Sequence, residues 1–117
     1  MQYMLMVYTD ESRWSRMTPA EQEQGTGAYH AYAEALRQAG VLKIGERLQP
    51  TSAATTVRLA NGKPQVLDGP YAESREQLGG YFLIDVPDLD AALSWAGRCP
   101  GAAHGVVEVR PIWYMAA

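Results

Sequence analysis

His30 and Asp68 are the residues of this chain best suited by type to move a proton. An imidazole ordinarily titrates near neutrality, and a carboxylate can take a proton itself or orient a neighbouring base. Asp68 opens the run Asp68-Gly69-Pro70-Tyr71, which continues through Glu73, Arg75 and Glu76 and closes on Gly79-Gly80. Two readings of this run stand. In one, Asp68 accepts backbone N–H bonds within its own turn while Gly69 and Pro70 fix the dihedrals. In the other, Asp68 and Glu73 form the acidic lip of a cleft, with the Tyr71 hydroxyl facing it.

Other residues extend the candidate set. His30 stands beside Tyr29, one position off an apolar helical stripe, and is the general-base candidate of the two histidines; His104 lies in a loop. The hydroxyls of Tyr8, Tyr29, Tyr32 and Tyr81 either line a cleft for an aromatic compound or belong to the core. Glu108 and Arg110 fall on one face of a terminal strand, as an ion pair or as a ligand contact, and Glu46 and Arg47 are placed to join them. No phosphate-cradling glycine loop, Ser-His-Asp signature or metal-ligand spacing occurs, so neither cofactor nor metal is expected. Cys99, the only cysteine, excludes an internal disulfide and reads as a buried filler.

Residues 2–8, QYMLMVY, are apolar at both alternate positions, as in a central strand covered on both sides. Thr18-Pro19-Ala20-Glu21 is a capping box with proline at the first helical position. It predicts a helix over 19–39 with Tyr29, Tyr32, Ala33 and Leu36 buried and Gly40 as the stop. A strand follows over 41–48, bulged at Gly45. Asn61-Gly62 predicts a hairpin joining 55–60 to 64–67. A second strand apolar on both faces covers 80–86, and Gly79-Gly80 marks a bulge or a close backbone approach by the Asp68 loop. Asp88 caps a helix with Leu89, Ala92, Leu93 and Ala96 as its stripe, and a strand over 105–113 ends the pattern.

The order is β-α-β-(hairpin)-β-α-β, an α+β ferredoxin-like arrangement in one domain over 1–117. Two right-handed crossovers place both helices on one sheet face. The strands at 2–8 and 81–86 are apolar on both faces, so something further must cover the second face. A second copy of the same sheet does so most simply, which predicts a homodimer. A formal charge of −3 without a Lys/Arg cluster gives no support for nucleic-acid binding. Apolar runs too short to span a bilayer, and the absence of a signal core, predict a cytoplasmic protein that is not membrane-bound.

YMLMVY, AGVLKIGERLQP, DGPYAESREQLGGYFLIDV and VEVRPI together resemble the YCII-related proteins, and within them the DGPF-domain branch, whose motif here reads Asp68-Gly69-Pro70-Tyr71. The resemblance implies a dimeric α+β barrel of two face-to-face ferredoxin-like sheets. Most DGPF-type proteins have no established reaction, and their genes often accompany those of extracytoplasmic-function sigma factors. The wider group includes a dehydrochlorinase of a chlorinated hydroxyquinol, for which a His-Asp pair has been proposed. His30 does not fall in a motif matching that histidine, and Tyr71 replaces the usual phenylalanine. Two functions are therefore carried forward: acid–base chemistry on a small cyclic or aromatic compound, and a non-catalytic dimeric binding or regulatory module linked to a sigma factor. If Asp68 closes its turn, Asp68→Ala costs about 1 kcal/mol through the unmade bond, whereas Asn is neutral.

Overall fold

The computed structural model describes residues 1–115, among which six strands and three helices follow one another as β1 (Gln2–Thr9), α1 (Glu11–Arg16), α2 (Pro19–Gln38), β2 (Leu42–Arg47), β3 (Thr55–Ala60), β4 (Lys63–Asp68), β5 (Gln77–Asp85), α3 (Leu89–Arg98) and β6 (Val106–Pro111). The order β2-β5-β1-β6 makes one antiparallel sheet, and β3-β4 stands as a separate hairpin. This is the ferredoxin-like strand order.

The period-two pattern of β1 decides which side the helices take. Tyr3, Leu5 and Val7 are buried with Phe82 and Ile84 of β5, under Tyr32 and Leu36 of α2 and Ala92 and Ala96 of α3. Both longer helices therefore cover the same face. Tyr32 is the joint between them: its ring meets Phe82 and Trp95 edge-on, at centroid separations of 5.2 and 6.3 Å, and its hydroxyl donates to the Trp95 carbonyl at 2.7 Å. Met4, Met6 and Tyr8 face the other way with Tyr81 and Leu83, half-buried, while Ile44 across the sheet is exposed.

Local signals set the ends of most elements. Thr18 and Glu21 exchange the two capping-box hydrogen bonds, Asp88 accepts from the Ala91 N–H, and Gly40 takes the left-handed conformation after α2. Asn61 and Gly62 both have positive φ, the requirement of a tight two-residue hairpin turn. Gly79 is the extra residue in β5, lying between Gly80, which pairs with Val7, and Leu78, which pairs with Tyr8.

Three expectations need correction, and one element is additional. The bulge in β2 lies at Lys43, between the pairs Leu42–Ile84 and Ile44–Leu83, and not at Gly45. Gly45 instead accommodates Phe82, whose ring would lie 2.6 Å from an added Cβ. The close approach at Gly80 comes from the Glu46 carbonyl of β2, 2.8 Å from the position of an added Cβ, rather than from the Asp68 loop. On α3, Leu89 and Leu93 are exposed, because contact with Tyr32 turns the Ala92–Trp95–Ala96 side inward. Helix α1 was not anticipated; Asp10 caps it by accepting from the Ser12 N–H at 2.9 Å.

The glycine geometry gives a paired prediction. Gly80→Ala must push β2 away from β5 and is expected to destabilise by about 1–3 kcal/mol. Gly97→Ala, in α3 with open space around it, is expected to stabilise by up to ~1 kcal/mol. Urea denaturation of the two variants beside wild type checks both signs.

Candidate functional site

Glycine at 45, 79 and 80 leaves part of the helix-side sheet surface without side chains, and a cavity of about 390 Å³ opens there between α2, the sheet and the edge strand β2. Thr26, Tyr29, His30, Ala33 and Arg37 of α2 form one wall, and Val7, Thr9 and Phe82 line the sheet side. Trp14 of α1, with Glu11, Arg47, Leu48 and Pro50, completes it. Helix α1 is held in place from a distance. The Glu11 carboxylate accepts from the Thr51 N–H and hydroxyl, both at 2.8 Å, and the Arg47 guanidinium lies 4.6 Å from the centre of the Trp14 ring. Beyond Trp14 and Tyr29, which border both spaces, a second cavity of about 340 Å³ reaches Arg13, Gly101 and His104.

The polar groups of the main cavity differ in their freedom to act. Glu11 is occupied by Thr51 and therefore serves structure. Glu34, one helical turn from His30, is engaged by Arg37 at 2.9 Å and Gln38 at 3.4 Å. His30 is exposed and makes no hydrogen bond or ion pair with the described residues, which leaves its ring nitrogens for a ligand. Burial, with a smaller contribution from neighbouring Cys99, pushes the Tyr29 phenol up to about 12. It is thus a neutral hydrogen-bond donor at ordinary pH and not a base. A mostly apolar space with one imidazole, one neutral phenol, an indole, two guanidiniums and the carboxylates of Glu11 and Glu46 suits a planar ring bearing oxygen substituents. Among the described residues no cluster of three metal-ligating side chains occurs.

The candidates named from sequence fall in three places. His30 lines the cavity, with Tyr29 beside it. Tyr8, Tyr81 and Arg110 lie on the opposite face of the sheet, where Arg110 pairs with Glu108 at 3.0 Å within its own strand. Asp68, Tyr71 and Glu73 are exposed at and beyond the end of β4, and the Arg58 guanidinium lies 5.8 Å from the Tyr71 ring centre. Gly69, at a φ of 106°, shapes that turn, and its N–H donates to the Ala54 carbonyl at 2.7 Å. Among the described residues no hydrogen bond or ion pair uses the Asp68 carboxylate, so the side-chain bond expected from sequence is not made. Arg37, Trp14 and Thr9 were missed; they belong to no chemical motif, and only the fold brings them to one space.

A ferredoxin-like sheet with an added hairpin and a helix-side cavity defines the class, and the chain matches the YCII-related domain over residues 1–116. It belongs to that family. An uncharacterised protein of Rhizobium meliloti (strain 1021) is 40% identical to it over 114 residues, covering 96% of this chain and 92% of that one. Among solved structures it is similar in fold to 5-chloro-2-hydroxyhydroquinone dehydrochlorinase (TftG) of Burkholderia phenoliruptrix, in complex with 2,5-dihydroxybenzoquinone. That match has a TM-score of 0.57 and 12% identity, and it spans 98% of this chain and 96% of the other.

Two predictions follow from the geometry. Asp68→Ala is now expected within ~0.5 kcal/mol of wild type rather than about 1 kcal/mol below it, as measured by urea denaturation. The raised phenols of Tyr29 and Tyr32 keep protons in the folded state that an unfolded chain releases near pH ~10. Their contribution is complete below that pH and is lost as pH rises toward about 12. Denaturation midpoints measured from pH ~9 upward are expected to fall, less steeply in Tyr29→Phe.

Proposed function

We propose that this chain is an enzyme performing acid–base chemistry on a small cyclic or aromatic compound, bound in the cavity beneath α2, with His30 as the proton acceptor. The observation that carries this is the cavity of about 390 Å³ with the His30 imidazole on its lining, unengaged by any carboxylate among the described residues. A ring of phenol or quinol size fits such a space. His30 takes a proton from an acidic O–H or C–H of the bound ring, Tyr29 donates a hydrogen bond to a ring oxygen, and Arg47 favours the anion that forms. The quinone bound by the structural neighbour supports a planar oxygenated ligand.

The protein works as a homodimer in this reading, since the sheet face carrying Met4, Met6, Tyr81 and Leu83 has no helix over it. It is assigned to the cytoplasm, where the lone thiol of Cys99 stays reduced; none of the described helices is long and apolar enough to cross a membrane. A second reading, the non-catalytic regulatory module linked to a sigma factor, is favoured by one observation. Asp68, Tyr71 and Glu73 stand in solvent, outside the cavity.

Thermal-shift measurements with small phenols, quinols and lactones, followed by turnover assays on the compounds that bind, separate the two. A true ligand at a hundredfold excess over its Kd is expected to raise Tm by roughly 10 °C. His30→Gln is expected to keep most of that shift and lose turnover by at least ~100-fold. Asp68→Asn leaves both unchanged. Binding without turnover in wild type favours the module.

A further inference from the structure

We propose that the β3–β4 hairpin is an arm that packs against a second copy of this chain. The inference rests on the dimer reading above and extends it to a segment that no part of the chain's own core covers. The pairs Val57–Val66 and Leu59–Pro64 put apolar side chains on one face of the hairpin, with Thr55–Asp68 at its open end, while Thr56–Leu67, Arg58–Gln65 and Ala60–Lys63 occupy the other. On that apolar face Val57, Leu59 and Val66 are 61%, 69% and 62% exposed. No other helix or strand lies against the hairpin over more than a residue or two. A two-stranded hairpin is marginal in water by itself and needs a further layer on its apolar side.

The molecule's dimensions show how much surface is waiting to be covered. A folded monomer of this mass exposes about 6,300 Å² and has a radius of gyration near ~13 Å. This chain exposes 8385 Å² with a radius of gyration of 16.2 Å. The excess, about 2,000 Å² per chain or ~4,000 Å² for a pair, falls in the range of obligate homodimers. The exposed apolar side chains of the arm contribute to this excess, and a second copy is the occupant whose own excess area matches.

Sedimentation equilibrium and hydrogen exchange on the full chain test this, with the double variant Val57→Asp/Val66→Asp beside wild type. Circular dichroism checks that the core of the variant stays folded. The variant is expected to associate at least ~100-fold more weakly, because each dimer must desolvate or expel the new carboxylates twice. In wild type, amides of β3 and β4 are expected to be protected at concentrations where the dimer forms and to lose protection on dilution. A wild type that is monomeric at micromolar concentration overturns the dimer and the arm together. A wild-type dimer with unprotected arm amides, matched by a variant of equal affinity, overturns the arm alone.

Discussion

The Tyr32 hydroxyl donates to the Trp95 carbonyl, and through that bond α2 and α3 share one seat on the sheet. Around it the Tyr32 ring fills the angle between Phe82 and Trp95, so the two crossovers are locked to one another and to β5. Much else depends on this. With α2 fixed above Phe82, its next turn toward the amino end carries Tyr29 and His30 over the glycine-lined part of the sheet, and a cavity forms where side chains would otherwise meet. With both helices committed to the same side, the reverse face of β1 and β5 is left with methionine, leucine and tyrosine and no helix over it among the described residues.

The bulge at Gly79 works alongside this. A strand that kept perfect alternation would carry one face unbroken from Ile84 to the loop; the extra residue shifts β5 relative to β1 just where the cavity begins. The same stretch thus ends a packed core and starts a lined space. Helix α1 closes that space, although it is only six residues long and buries none of them completely. Its position comes from Glu11 reaching Thr51 and from Trp14 lying under Arg47, contacts that tie the start of the chain to the end of β2 and the segment after it.

Those two features also explain what could be read from sequence. Signals contained within a few residues were legible: the Thr18–Glu21 capping box, the Asn61-Gly62 turn, the Asp88 cap and the alternation of β1 all encode their own geometry. Helix α1 was not, because its anchor lies forty residues away and its intrinsic length is too short to stand alone. The bulge at Lys43 was misplaced to Gly45 since glycine marks both bulges and close approaches, and here Phe82 required the second. At the candidate site, residue type picked out His30 and Tyr29. It also picked out Asp68 and Arg110, which the topology sends elsewhere. Chemical suitability is local, whereas convergence is a property of the sheet order.

Cys99 follows the last turn of α3, 2% exposed, with its N–H bonded to the Ala96 carbonyl and its thiol pushed up by burial. A thiol in that setting is inert to reagents until the end of the helix lifts, since only an exposed thiolate reacts. Being the chain's only sulfhydryl, it reports on that one place in the fold. In native solution the rate of alkylation follows the fraction of molecules in which the end of α3 stands open, by local or by global opening.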